Sequence, residues 1–153
     1  MNKNLKKVIS AIAALAVSAS SIVAFAAGYP DVPETASYKQ AVTELTALGI
    51  VEGTDNGTFE PDQNVTRAQI AKMIVAAKGS SDLSAAEAQK GQNTKFDDVT
   101  GSHWAAGYIS VATAKGTKFV DGYSDTEFGP EDNVTFAQAT KMIVSALGYV
   151  QYE

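Results

Sequence analysis

Arg67 is the only arginine in the chain, and its setting makes it the first residue to question for chemistry. It sits within Val65-Thr66-Arg67-Ala68-Gln69. There Thr66 can cap a helix, and Gln69, three residues on, can complete a capping box. That puts Arg67 at the first helical position, with its charge toward the positive end of the helix dipole, at a cost of roughly a few tenths of a kcal/mol. A residue placed against local preference is a candidate for function. A guanidinium is a planar fork of donors suited to a carboxylate or a phosphate. The amides of a helix N-terminus favour the same anion. Two readings stand side by side: Arg67 binds an anionic ligand, or it pairs with a nearby acid such as Asp62 or Asp55.

The other chemically capable residues are weaker signals. Trp104 and Tyr108 can each offer a flat face to a sugar ring. Both also lie on the apolar stripe of a helix, where packing explains them, and for Tyr108 packing is the better account. Asp31 and Asp98 follow aromatic residues in matching loops; each can face a ligand or bond its own turn, which Asp does readily. His103 is the only histidine. Without partner ligands it reads as an exposed helix-start residue, not a metal ligand. Asp55-Asn56-Gly57 invites a calcium loop, but the positions that must supply oxygen hold Gly57 and Phe59. Ser124-Asp125-Thr126 fails in the same way. The acid pairs Asp97-Asp98 and Glu131-Asp132 read as turn residues. With no nucleophile–histidine pair, no phosphate loop and no metal cluster, the expectation is a protein that is not an enzyme and needs no cofactor.

The elements that must position these residues come twice. The stretch from Phe59-Glu60-Pro61 through Val65-Thr66-Arg67-Ala68-Gln69 to Met73-Ile74-Val75 returns 69 residues later, without a gap. Its second copy runs from Phe128-Gly129-Pro130 through Val134-Thr135-Phe136-Ala137-Gln138 to Met142-Ile143-Val144. In each copy a turn leads to a cap and then an amphipathic helix, with Val65 and Ile70 placed as a hydrophobic staple. Ile70, Met73, Ile74 and Ala77 form the first copy's expected buried stripe, and Gly79 its stop. An earlier helix precedes each turn. Tyr38, Ala41, Val42, Leu45 and Leu48 make one stripe, capped by Ser37; Trp104, Tyr108, Val111 and Ala112 make the other, capped by Ser102 and ended by Gly116. Between the copies, 80–95 reads as a linker, with a short helix over Leu83–Gln89. Ile50-Val51 and Phe119-Val120 are the only candidate strands. The expected fold is all-α, two tandem helix-loop-helix repeats packed on each other, because neither repeat can bury both stripes alone.

Composition narrows the setting. Residues 1–26 have a basic start (Lys3, Lys6, Lys7), an apolar run and Ala24-Phe25-Ala26, the pattern of a secretory signal peptide cut after Ala26. The apolar run is shorter than the roughly 20 residues of a membrane span, so none is expected after cleavage. Cleavage leaves 127 residues and, with three lysines gone, moves the formal charge from −5 to −8. Nucleic acid is a poor partner for such a chain, since it needs clustered cations. The chain has no cysteine, so its stability must come from a core or from association.

Taken together, aromatic-x-Asp-Val, a helix, a glycine-rich turn, Phe-x-Pro and Val-Thr-Arg-Ala-Gln resemble the S-layer homology (SLH) module of bacterial cell-surface proteins. The resemblance covers 29–79 and 96–149, which would be two SLH modules. It implies non-covalent anchoring to anionic, often pyruvylated, cell-wall polysaccharide, and a location at the bacterial surface. Family members usually carry three modules in a pseudo-threefold bundle with grooves between neighbours. The family's Thr-Arg-Ala-Glu maps onto Thr66, Arg67, Ala68 and Gln69, with Gln in place of the acid, and onto Thr135-Phe136-Ala137-Gln138, without the arginine. Its tryptophan maps onto Trp104 in the second copy and onto Ser37 in the first. The resemblance therefore implies a ligand site built from Arg67, Thr66, Gln69, Trp104, Asp31 and Asp98, with Arg67 and Trp104 meeting across a shared groove. The alternative roles are self-association into a surface assembly, docking of a third SLH module, or service as the N-terminal anchor of a larger exoprotein.

Overall fold

The computed structural model describes residues 28–115 and 119–149. The expected signal peptide, the expected helix stop at Gly116 and the last four residues lie outside the described residues. Among the described residues five helices follow in order: α1 (Lys39–Ala47), α2 (Arg67–Lys78), α3 (Ser80–Ala88), α4 (Ala106–Ala112) and α5 (Phe136–Ala146). Among the described residues there is no strand, only an isolated antiparallel bridge between Thr66 and Asn133. The all-α expectation holds. Phe119 and Val120 are buried, and both donate their N–H groups to the Ala112 carbonyl, at 2.8 and 3.1 Å. No described helix is long and apolar enough to cross a membrane.

Both capping boxes form as their residue types dictate. Thr66 Oγ1 accepts from the Gln69 N–H at 3.3 Å, and Gln69 Oε1 accepts from the Thr66 N–H at 2.8 Å. The second copy repeats this with Thr135 and Gln138, at 3.2 and 2.9 Å. Arg67 and Phe136 are therefore the first residues of their helices. Gly79 ends α2 at φ +111°, a backbone region open to glycine and strained for side chains.

The chain divides into two compact units, and they do not follow the repeats. One holds the described residues up to Ala47 together with Glu52–Pro61. The other holds Leu48–Val51 and the described residues from Asp62 onward. The second unit thus takes in α2, although α2 belongs to the first repeat by sequence. The reason lies in its buried face. Ala68, Ile70, Ala71, Ile74 and Val75 join Phe96, Val99, Ile109, Ala112, Val120 and Phe128 in one core, with α2 packed on α3, α4 and α5. Of the expected stripe of α2, Ile70 and Ile74 are buried, Met73 is half-buried and Ala77 is exposed.

The segment expected as a linker carries α3, which starts at Ser80 rather than Leu83. Its Ala86 is buried against α4, where a Cβ on Gly107 would collide with the Ala86 carbonyl. Small residues, not bulky ones, let these helices touch, and that is why a hydropathy pattern reads the segment as polar filler. Helix α4 starts later than expected and has no side-chain cap from Ser102. Ser102 pairs with the Thr100 hydroxyl at 2.8 Å, while His103 Nδ1 accepts from the Ala105 N–H at 3.1 Å.

Candidate functional site

Each copy begins with a turn held by one aspartate. In the second unit, the Asp98 carboxylate accepts from the Phe128 N–H at 3.0 and 3.1 Å and from the Gly129 N–H at 2.7 Å. In the first unit, Asp31 accepts from the Phe59 N–H at 2.9 and 3.0 Å and from the Glu60 N–H at 2.6 Å. The Phe59 amide, with help from Glu60, holds the Asp31 carboxyl below its ordinary value against a smaller opposing effect of burial. Aromatic pairs sit over both clamps: Tyr29 with Phe59 at 5.4 Å and Phe96 with Phe128 at 5.3 Å. Neither aspartate spends its carboxylate on its own turn as expected: Asp31 and Asp98 each clamp the turn that precedes the capped helix, about thirty residues further along the chain.

The second turn receives Arg67. Its side chain is 3% exposed, donating from Nε to the Phe128 carbonyl and from Nη2 to the Asp121 carbonyl, each at 2.7 Å. The guanidinium carbon lies 4.3 Å from the Tyr123 ring centroid and 4.7 Å from that of Phe128. A buried cation is costly without compensation. Here two carbonyl dipoles and two π faces supply it. These contacts outweigh the small penalty of a cation at a helix start. Neither Asp62 nor Asp55, the sequence-based salt-bridge candidates, is what holds the side chain.

The α2 amides are engaged as well. Arg67 N–H donates to the Asp132 carbonyl and Ala68 N–H to the Pro130 carbonyl, each at 2.9 Å, while Gln69 N–H goes to the Thr66 hydroxyl. The expectation of free helix-start amides beside Arg67 is therefore corrected: the 128–133 turn takes them up. Thr66 and Gln69 spend their side chains on the cap.

Beside Arg67 lies a cavity of about 180 Å³ lined by Arg67, Phe119, Asp121, Tyr123, Gln138 and Lys141, with Gly122 and Met142. Lys141 Nζ stands 3.7 Å from an Asp121 carboxylate oxygen at the exposed rim. Loss of hydration raises the Tyr123 hydroxyl above its ordinary value, with the Arg67 charge pulling the other way and a bond to Asp132 adding to the rise. The cavity is small beside the roughly 300–1,000 Å³ of typical ligand pockets. It suits one substituent of a larger ligand, with a cation at its base, a cation at its rim and an aromatic wall.

Trp104 is not among the cavity's lining residues. It is 49% exposed, its ring stacked on His103 at 5.8 Å and 28°. His103 Nδ1 accepts from a backbone N–H, so the ring proton is on Nε2 and faces Glu131 Oε1 at 3.0 Å. The expected meeting of Arg67 and Trp104 is replaced by two separate features joined through one turn. Glu131 holds His103 and thereby Trp104, and its neighbours Pro130 and Asp132 hold the start of α2. Tyr108 is half-buried against the core, in line with packing. Sequence reading missed Tyr123, Asp121, Gln138 and Lys141 as neighbours of Arg67. Lys141 recurs as Lys72, which hid it as a repeat residue, whereas Tyr123 stands where the first copy has Thr54, a difference that can be found by aligning the copies.

The family model for the S-layer homology domain matches residues 28–71 and 95–140. A surface layer protein of Brevibacillus choshinensis is 38% identical over 151 residues, covering 97% of this chain and 13% of its own length. A cell surface protein of Thermoanaerobacter kivui is 38% identical over 150 residues, covering 96% of this chain and 19% of its own. A cellulosome-anchoring protein of Acetivibrio thermocellus is 33% identical over 107 residues, covering 70% of this chain and 23% of its own. The chain spans less than a quarter of the length of each.

Proposed function

Since the chain belongs to the S-layer homology domain family, we propose that it serves at the bacterial cell surface as an anchor that binds an anionic cell-wall polysaccharide. The observation that carries this reading is the cavity beside Arg67. It combines a fixed guanidinium, the exposed ammonium of Lys141 and the Tyr123 ring in a space sized for one acidic substituent, such as a carboxylate carried on a sugar. Lys141 exchanges its rim contact with Asp121 for the ligand's anion. The exposed Trp104 ring supplies a flat face for a neighbouring sugar of the same polymer. Short-range contacts of this kind act within the distance at which salt screens the chain's net negative field.

Under this reading the remaining candidates shape the site rather than touch ligand. Thr66 and Gln69 start α2 so that Arg67 is its first residue. Asp98 holds the turn whose carbonyl receives Arg67, and Asp31 does the same for the turn of the first copy. The module carries out no chemical step, so catalysis, where a longer protein of this kind has it, belongs to other parts of that chain.

Retention of the protein on purified cell walls tests the proposal. Walls stripped of their secondary polymer by hydrofluoric acid should retain none. Lys141→Ala and Trp104→Ala, both at exposed side chains, should each lower retention while leaving the helical circular dichroism unchanged. Equal retention on stripped walls, or full retention by both variants, would sink the idea.

A further inference from the structure

Gln138 belongs to two features at once. It is the third residue of the capping box of α5, and it lines the cavity beside Arg67. Its Oε1 accepts from the Thr135 N–H at 2.9 Å, and its own N–H donates to Thr135 Oγ1 at 3.2 Å. A backbone N–H can only donate, so the amide oxygen is the atom held against Thr135 and the NH2 group is the end left over. Among the described residues, no hydrogen bond engages Gln138 Nε2. Gln138 is half-buried, whereas Gln69 in the matching box of α2 is exposed and is not part of the cavity wall.

The residue type matters because Glu and Gln serve a capping box alike. At a helix start Glu is the better local choice, since its charge complements the dipole. What separates the two here is the cavity. Its ionised lining residues are Arg67, Lys141 and Asp121, which leave a surplus of one positive charge. A carboxylate at position 138 would cancel that surplus. It would also compete for Lys141, three residues on along the same face of α5. Gln keeps the cap and brings two N–H donors without a negative charge.

Resting on the reading of this cavity as the seat of an acidic substituent, we propose that Gln138 determines the specificity of the site. Its Nε2 is a further donor to the ligand's anion, beside the Arg67 guanidinium and the Lys141 ammonium, and its neutrality is what admits an anion. The acidic group then meets two charged donors and one neutral donor, drawn from α2 and α5. A carboxylate has two oxygens with about four lone-pair sites to receive them. A sugar hydroxyl offers two lone pairs and no charge, so the same wall selects acidic over neutral sugars.

Binding isotherms on purified cell walls test this with two variants of equal charge. Gln138→Glu and Gln69→Glu each add one negative charge at the third position of a capping box. Both should keep the wild-type urea midpoint or raise it. Gln138→Glu should weaken wall binding about tenfold or more, because a hydrogen bond to a charged group gives way to repulsion. Gln69→Glu should bind like the wild type. Binding by Gln138→Glu as tight as the wild type overturns the proposal and leaves the roles of Arg67 and Lys141 standing. Equal weakening by both variants overturns it too, since general repulsion from an acidic wall would then be the cause. So does a midpoint lowered in Gln138→Glu alone, which would mean that the cavity carries no positive surplus. A wild type that is not retained on walls is a separate failure: it removes the anchoring function itself, and this inference with it.

Discussion

Replacing Arg67 by leucine removes a buried cation together with everything that compensates it, and the contacts allow the cost to be worked out. Hydrogen bonds made by a charged group contribute about 1.5–3 kcal/mol each. Arg67 makes two, both at 2.7 Å, to the Phe128 and Asp121 carbonyls. The rings of Tyr123 and Phe128 add about 0.5–1 kcal/mol each as cation–π partners. Against a gross loss of about 4–8 kcal/mol stand the burial of the leucine side chain and relief of the helix-start charge, about 2–3 kcal/mol together. Waters reaching the part-buried Asp121 carbonyl offset some of the rest, so the net loss should be near 3 kcal/mol. Urea unfolding followed by circular dichroism at 222 nm reads it directly as a lower midpoint at unchanged slope. Arg67→Lys should fall between the two, because an ammonium keeps the charge but cannot present the same planar fork to two carbonyls and two rings. Phe136→Leu, at the exposed counterpart, should change stability by less than about 0.5 kcal/mol. A loss under about 1 kcal/mol for Arg67→Leu would refute the reasoning. It would mean that the carbonyls do not hold the guanidinium and that it is available whole to a ligand.

Four further outcomes follow from local geometry. Glu60 sits at φ +59° where the second copy has Gly129 at +69°, so Glu60→Gly should stabilise by about 0.5–1 kcal/mol in thermal melts. Gly129→Ala should do the reverse by more than about 1 kcal/mol, because its Cβ would press on the Tyr123 ring, which Thr54 replaces beside Glu60. The Asp31 carboxyl lies below its ordinary value of 3.8 when folded, so it adds stability above that pH and loses it as pH falls through the lowered value. Asp31→Asn should therefore lower stability near neutrality and flatten the acid side of the stability profile measured by urea midpoints. Gly107→Ala should force α3 away from α4 and cost more than about 2 kcal/mol in urea unfolding; a neutral result would mean that α3 is not part of the core.

The parts of the fold that were legible in advance are those governed by a few neighbouring residues. Thr66 with Gln69, and Thr135 with Gln138, decide where α2 and α5 begin because the bonds of a capping box span three residues. The Phe-x-Pro turns and the glycine at the end of α2 were readable for the same reason. Helix α3 was half legible. Its helical run was visible, but its role in the core depends on a close approach of Ala86 to Gly107, which leaves no apolar stripe to count.

The identity of the repeat, the helix starts and the unusual placement of Arg67 are properties of the sequence alone. What Arg67 does is not. Its hydrogen-bond partners stand 54 and 61 residues away, in the turn of the other copy, and no local pattern connects them. The contrast between the helices has the same origin. Met73-Ile74-Val75 and Met142-Ile143-Val144 are the same residues at the same helical positions, so their propensity and periodicity are alike. Burial depends on what is brought against a face, and only tertiary packing brings α4 against α2 while leaving α5 open.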